Sequence, residues 1–90
     1  MADIIHKLYH GVKNKREFIV EMKEIVGKKL KDRREQLKMT QRQVADALGI
    51  AQPVYQRFEK GIYECNYSQL AAICKLFDIS ADYLLGLTEY

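Results

Sequence analysis

The chain has 90 residues with a formal net charge of +3 at pH 7, and 48% of its residues are hydrophobic and 30% charged. This composition predicts one globular domain, because the chain is too short for two independent cores and too apolar for a disordered protein. No apolar run approaches the roughly 18 residues of a membrane span and no secretory signal is visible, so we expect a cytoplasmic protein without a membrane segment.

The residues that could bind a metal are few. Cys65 and Cys74 are nine positions apart, and the histidines are His6 and His10. This spacing completes no zinc signature, so we expect two reduced thiols, no metal and no cofactor. We also find no nucleophile with a base beside it and no phosphate loop, and therefore expect no enzyme.

The charge is distributed unevenly along the chain. Residues 1–61 hold 14 basic and 8 acidic residues, a balance of +6, whereas residues 62–90 hold one basic and four acidic residues, a balance of −3. Such a gradient suits a polyanionic partner on one side of the molecule, although a basic helix surface that merely contacts water explains the densest stretch, residues 28–38, equally well.

The first predicted helix covers residues 3–10. Four apolar residues recur in it at helical spacing, and they are Ile4, Ile5, Leu8 and Tyr9. Gly11 is a plausible stop and residues 12–15 a connector. A second apolar stripe runs from Glu17 to about Lys38, as one helix or as two, because Gly27 in its middle costs about 1 kcal/mol relative to alanine.

Four further helices are predicted in the rest of the chain. They cover residues 41–48, 51–59, 67–77 and 81–85, with Thr40, Asn66 and Ser80 as caps of the first, third and fourth. No run alternates with the period of two that is typical of a strand, so we expect no sheet.

The pair of helices at 41–48 and 51–59 has the pattern of a helix-turn-helix. Ala45 is a small residue where the helices would cross, and Gly49 tolerates the left-handed turn between them. In the second helix the polar residues Gln52, Gln56 and Arg57 lie on the face opposite the apolar residues. A polar face of this kind is needed to contact base edges.

Three blocks in this order resemble the phage lambda-repressor and Cro family of helix-turn-helix domains, the XRE family: GKKLKDRREQLKMTQRQVADALGI, QPVYQRFEKG and LAAICKLFDISADYLLGL. The resemblance covers about Ile25 to Leu87. It implies an all-α, five-helix lambda-repressor-like bundle that binds the major groove of double-stranded DNA. The domain would comprise residues 25–87, between an additional N-terminal helical extension (1–24) and a short tail (88–90).

The resemblance also implies roles for single residues. The expected base contacts are Ala51, Gln52, Pro53, Gln56 and Arg57. The expected phosphate contacts are Gln41, Arg42 and Lys60. Arg34 and Glu59 match a family pair that forms a partly buried, structural salt bridge. Each contact has a plainer alternative: the glutamines and cations are surface groups in water, or Arg57 pairs with Glu59 or Glu64.

Four residues depart from the family pattern, and they are Tyr55, Pro53, Arg33 and Cys65. Pro53 is unusual in the first turn of the second motif helix and removes one contact donor, and Cys65 stands where the family usually has a Pro. Tyr55 stands where Ile or Val is usual, so either it displaces the second motif helix outward or its hydroxyl reaches a phosphate. Arg33 stands where the family usually has an apolar residue.

The resemblance implies a DNA-binding transcriptional regulator, a repressor that acts as a homodimer on an inverted repeat. The expected dimer surface is the C-terminal apolar group Tyr83, Leu84, Leu85, Leu87 and Tyr90, with the N-terminal helix as second choice. Residues 1–24 pack on their own bundle, form a dimer, or act as a basic arm on DNA. The alternatives for the whole protein are an antitoxin that binds a toxin through residues 1–24 and represses its own operon, and an adaptor that bridges proteins.

Overall fold

The computed structural model of the protein describes Gly11 and residues 13–89. Over this part of the chain there are five α-helices and no strand. They are α1 (Lys15–Gln36), α2 (Gln41–Leu48), α3 (Gln52–Glu59), α4 (Tyr67–Phe77) and α5 (Ala81–Leu84). The predicted all-α, five-helix bundle is therefore confirmed. The helix predicted at residues 3–10 lies outside the described residues, within which no helix is long and apolar enough to cross a membrane.

The first helix, α1, is a single helix of 22 residues. It begins two residues before the predicted start because Asn14 caps it, accepting a hydrogen bond from the amide of Glu17 at 3.0 Å. It continues through Gly27 without a break. The boundary predicted between residues 24 and 25 thus falls inside α1.

Gly27 is needed where α1 crosses the end of α3. A Cβ atom added at Gly27 would lie 2.6 Å from the carbonyl oxygen of Glu59 and 2.7 Å from that of Phe58. Real Cβ atoms almost never come within 3.0 Å of such an atom, so a side chain here would force the two helices apart. Gly27 has a low helix propensity, but its missing side chain permits the close approach of α1 to the end of α3.

The bounds of α2 and α4 are those predicted. Both begin with a capping box. The side chains of Thr40 and Asn66 accept a hydrogen bond from the backbone amide three residues later, and the side-chain oxygens of Gln43 and Gln69 accept one from the backbone amides of Thr40 and Asn66. The other two helices are one residue shorter than predicted. Ala51 has extended backbone and serves as the N-cap of α3, and Leu85 is the C-cap of α5.

The core lies where all five helices meet. Its buried residues are Leu30, Val44, Ala45, Tyr55, Phe58, Ile73, Phe77 and Leu84. Leu84 corrects one prediction: it is fully buried in this core and cannot belong to a dimer surface. Leu87 remains exposed, and Tyr90 lies outside the described residues.

Two cations of α1 fasten the C-terminal helices. Lys29 Nζ donates to the carbonyl oxygen of Tyr83 at 2.6 Å and lies 4.5 Å from the centre of its ring. Arg33 Nε donates to the carbonyl oxygen of Phe77 at 2.8 Å. This carbonyl is at the C-terminal end of α4, where a helix leaves its last acceptors unpaired. Arg33, predicted to depart from the family pattern, is thus held by a hydrogen bond to the end of α4.

Candidate nucleic-acid interface

Helices α2 and α3 are joined by a tight turn at Gly49. Its φ of +70° is the left-handed conformation, and the amide of Ile50 donates to the carbonyl oxygen of Ala45 at 3.0 Å. Ala45 is fully buried. The small residue and the left-handed turn therefore occupy the positions that a helix-turn-helix requires.

The face of α3 away from the core is polar. Tyr55 and Phe58 point inward and are buried, with their rings 6.4 Å apart in an edge-to-face arrangement. Three predicted base contacts lie along the other face: Gln52 and Gln56 are half-buried, and Arg57 is exposed. Ala51 and Pro53, at the start of α3, are exposed as well, so the structure brings all five predicted base contacts onto α3 and its N-cap.

A chain of hydrogen bonds holds the first side chain of α3. Gln52 Nε2 donates to Gln41 Oε1 at 2.9 Å, and Gln41 Nε2 donates to Glu59 Oε1 at 3.0 Å. Arg34 donates to both oxygens of Glu59, at 2.6 and 3.0 Å, and its Nη1 donates to the carbonyl oxygen of Met39 at 2.9 Å. We call Arg34, Glu59, Gln41 and Gln52 the amide relay. It links α1, α2 and α3.

The direction of each bond in the amide relay follows from Glu59. An ionised carboxylate only accepts, so Gln41 must turn its NH₂ group toward Glu59 and its oxygen toward Gln52. Gln52 then uses one N–H for Gln41. Its oxygen and second N–H are left for another partner.

Glu59 is ionised despite its burial. Burial alone would raise its pKa, but the hydrogen bonds from Arg34 and Gln41 outweigh this and hold the pKa of Glu59 below its usual 4.5. The hydrogen bond to Glu59 likewise raises the pKa of Arg34. The exposed side-chain fractions of 13% for Arg34 and 3% for Glu59 make this a largely buried ion pair between the two residues predicted to form it.

Tyr55 does not reach outward. It is fully buried, and among the described residues its hydroxyl has no hydrogen-bond partner of ordinary geometry. Burial raises the pKa of Tyr55, and the nearby Glu59 carboxylate raises it further. Of the two alternatives for Tyr55, the contact between its hydroxyl and a phosphate is therefore wrong, because the ring fills the core under α3.

Arg57 lies over an aromatic ring that the sequence analysis did not single out. Its guanidinium carbon is 5.5 Å from the centre of the Tyr63 ring. The turn that follows α3 sets this position, since the amides of Ile62 and Tyr63 donate to the carbonyl oxygen of Arg57 at 3.0 and 3.3 Å. In the sequence, this contact is indicated only by an aromatic residue, Tyr63, that follows the helix-ending Gly61. No helical or strand periodicity connects residues 57 and 63. Arg57 therefore has a cation–π partner instead of Glu59 or Glu64.

The predicted phosphate contacts fall into two kinds. Arg42 and Lys60 are exposed, near the start of α2 and at the end of α3. Gln41 is half-buried and belongs to the amide relay. Of the earlier basic stretch, Arg34 is neutralised by Glu59. Lys29 and Arg33 keep their charge, but their side chains are held by backbone carbonyl oxygens within the protein.

The described residues contain no group of three or more His, Cys, Asp or Glu side chains that could hold a metal ion. Cys65 and Cys74 are free thiols. Burial raises the pKa of Cys65 to about 12 and also raises that of Cys74.

Comparison with known proteins finds one matching family and several relatives. The helix-turn-helix family model matches residues 30–84. Two uncharacterized HTH-type transcriptional regulators of Bacillus subtilis, YqaE and YobD, are 46% and 34% identical over 62% and 68% of this chain and 48% and 54% of their own. The HTH-type transcriptional regulator ImmR of the same organism is 31% identical over 71% of this chain and 50% of its own. The chain thus spans about half the length of these relatives. No solved structure gives a significant match.

Proposed function

The chain belongs to the helix-turn-helix family, and from this premise we propose that it is a transcriptional regulator that binds double-stranded DNA in a sequence-specific manner. In this proposal α3 lies in the major groove. Its predicted base contacts are Ala51, Gln52, Pro53, Gln56 and Arg57. Arg42, Lys60 and Gln41 are next to the phosphates on either side.

The observation that carries the proposal is the state of the Gln52 side chain. The amide relay leaves Gln52 with one free acceptor and one free N–H at the first residue of α3. Adenine offers a matching donor and acceptor in the major groove, N6 and N7, and a bidentate glutamine–adenine pair contributes about 1–3 kcal/mol of discrimination. A solvated surface glutamine would not need a partner that fixes its orientation.

The same proposal includes a homodimer that represses transcription. One α3 helix of eight residues contacts too few base pairs to select a single site in a genome. Two copies related by a two-fold axis would place two α3 helices in successive major grooves, about 34 Å apart, on an inverted repeat. Repression follows when the dimer occupies promoter DNA.

The test is selection from a pool of random duplexes at moderate salt, with the wild-type protein and three variants. We expect wild-type protein to enrich a two-fold repeat. Gln52→Ala and Arg57→Ala should weaken binding to it by about 10- to 100-fold per half-site. The control variant is Lys75→Ala, which removes an exposed cation of α4. It should bind DNA as the wild type does.

Two outcomes contradict the proposal. If folded wild-type protein enriches no sequence, the protein does not read DNA, and the toxin-binding or adaptor alternatives become the better ones. If a repeat is enriched but neither substitution weakens binding to it, α3 is not the reading element.

A further inference from the structure

An apolar groove of about 240 Å³ runs along the first half of α1. Ten of the described residues line it, and among them are Phe18, Met22, Val26, Tyr63, Cys65 and Leu70. One wall is the face of α1 on which Phe18, Met22 and Val26 follow one another at four-residue intervals. The other wall comes from the segment between α3 and α4, from the first turn of α4, and from Leu85 at the end of α5.

The first half of α1 is the part of the helix that the rest of the bundle covers least. The two fully buried residues of α1, Gly27 and Leu30, both lie in its second half. Ile19 and Met22 stay half-buried in the groove wall. An apolar helix face in this state is typical of a surface that another segment contacts.

The chain reaches this groove through a short connection. Gly11 has a φ of +83°, the conformation that commonly ends a helix, and Asn14 caps α1 three residues later. The amide of Lys13 donates to Glu17 Oε2 at 2.8 Å and holds the connection against the first turn of α1. Two helices joined by so few residues are neighbours in space, and an antiparallel pair lying side by side is one of the arrangements that such a connection allows.

The residues before Gly11 have the matching chemistry. Ile4, Ile5, Leu8 and Tyr9 form an apolar stripe if residues 3–10 are helical, as the sequence predicts. From residue 4 to residue 9 a helix would span about 7.5 Å at the helical rise, within the roughly 12 Å between Phe18 and Val26 on α1. The stripe and the groove wall therefore match in length and in polarity.

We propose that the groove is the docking site of residues 4–9 of the same chain, which lie against the first half of α1 as an antiparallel helix. A second copy of the protein is the other possible occupant. We favour the same chain because the connection between Gly11 and the cap residue Asn14 is so short that it brings the stripe to its own groove first.

The groove shares one residue with the candidate nucleic-acid interface. Tyr63 lines the groove and also carries the Arg57 guanidinium on its ring. An occupant that fixes Tyr63 from the groove side would thereby restrict Arg57. This consequence rests on the proposed function, whereas the docking itself does not.

The direct test uses the unmodified full-length protein and measures nuclear Overhauser effects between methyl groups. We expect cross-peaks from Ile5 and Leu8 to Met22 and Leu70. A mixture of isotope-labelled and unlabelled protein separates contacts within a chain from contacts between chains. Absence of these cross-peaks overturns the proposal, and cross-peaks between chains only would replace it by a groove filled by a second copy.

A pair of variants tests the docking by chemistry. Leu8→Asp places a charge in the stripe, and His6→Asp places the same charge on the opposite side of the predicted helix as a control. We expect Leu8→Asp to raise the alkylation rate of the Cys65 thiol, which lines the groove, about tenfold relative to that of Cys74, which does not line it. Equal rates in the two variants overturn the proposal. A common rise at both thiols would show general unfolding, in which case the methyl contacts of the wild-type protein decide.

Discussion

Glu59 is the residue on which the polar contacts around α3 converge. It accepts two hydrogen bonds from Arg34 and one from Gln41, and its side chain is only 3% exposed. Removing one partner of a buried ion pair lowers the free energy of unfolding by more than the pair contributes, because the other charge stays buried without water and without its partner. The stability of the bundle and the orientation of Gln52 therefore depend on the same carboxylate.

We expect Glu59→Gln to lower the free energy of unfolding by about 2 kcal/mol, measured by urea denaturation. Glu35→Gln is the matched control, since Glu35 pairs with Lys31 at 4.0 Å with both side chains more than half exposed. Such a surface pair contributes less than about 1 kcal/mol. Equal losses in the two variants would show that the burial of the Arg34–Glu59 pair has no energetic effect.

The lowered pKa of Glu59 predicts that the free energy of unfolding falls at low pH. The pKa of Glu59 is lower in the folded protein than its usual 4.5, so its stabilising contribution is complete above about pH 4.5 and is lost as the pH falls below that value. The difference in unfolding free energy between wild type and Glu59→Gln should therefore shrink from pH 5 to pH 3. Urea titrations at several pH values measure it, and a difference that is constant over this range would contradict the lowered pKa.

At the level of helices, Gly27 sets the distance between α1 and α3. Helix propensity alone predicts that Gly27→Ala gains about 1 kcal/mol. The added Cβ would lie within 2.7 Å of two backbone carbonyl oxygens, which cannot move as a flexible side chain can. We expect a net loss of about 2 kcal/mol in urea denaturation, the typical cost of overpacking. The exposed neighbour Lys28→Ala should stay within about 0.5 kcal/mol of the wild type, and a stabilised Gly27→Ala would refute the close approach.

The contact between the Tyr63 ring and Arg57, near the end of α3, predicts an effect on DNA affinity. Tyr63→Ala removes the cation–π partner of Arg57 and should weaken binding to the selected DNA site by about two- to fivefold, as expected for an exposed cation–π contact of about 0.5–1 kcal/mol. Tyr67→Ala, which removes an 87% exposed ring, is the control. Equal affinities of the two variants in a fluorescence titration would show that Tyr63 does not position Arg57.

The helices were predictable where their signals are local. Thr40 with Gln43, and Asn66 with Gln69, are capping boxes within four residues, so the bounds of α2 and α4 follow from the sequence. Gly27 shows the opposite case. Its role depends on the backbone of α3, more than 30 residues later in the chain, and no local pattern contains that contact.

The candidate interface was predictable in part for the same reason. The family pattern placed Arg34 opposite Glu59, and spacing placed the polar residues of α3 on one face. The Gln41–Glu59 bond and the Tyr63 ring under Arg57 depend on how helices and turns pack, which the one-dimensional spacing does not express.

On the scale of the whole molecule, fewer basic side chains are free to contact a partner than the composition indicates. Residues 1–61 hold 14 basic residues, but Arg34 and Lys31 pair with Glu59 and Glu35, and Lys29 and Arg33 donate to backbone carbonyl oxygens. Among the described residues of α2, α3 and the α3 C-cap, the cations are Arg42, Arg57 and Lys60, and all three are exposed. In the proposed complex Arg42 and Lys60 carry the attraction to the phosphates next to α3, and Arg57 places its positive charge at the bases.

If Arg42 contacts a phosphate and Gln52 contacts a base, their substitutions should have two separable effects on DNA binding. Phosphate contacts release counterions, so the logarithm of the binding constant falls with the logarithm of the salt concentration by about 0.9 for each contact. Arg42→Gln should flatten this slope by about 2 in a dimer and weaken binding to all sequences alike. Gln52→Ala should leave the slope unchanged and lose discrimination at one base pair per half-site, because an uncharged amide releases no ions.

Titrations from 50 to 300 mM salt on the selected site and on a scrambled one measure both the slope and the discrimination. If Gln52→Ala changes the slope, or Arg42→Gln changes the preferred base, the assignment of one residue to the bases and the other to the phosphates is wrong.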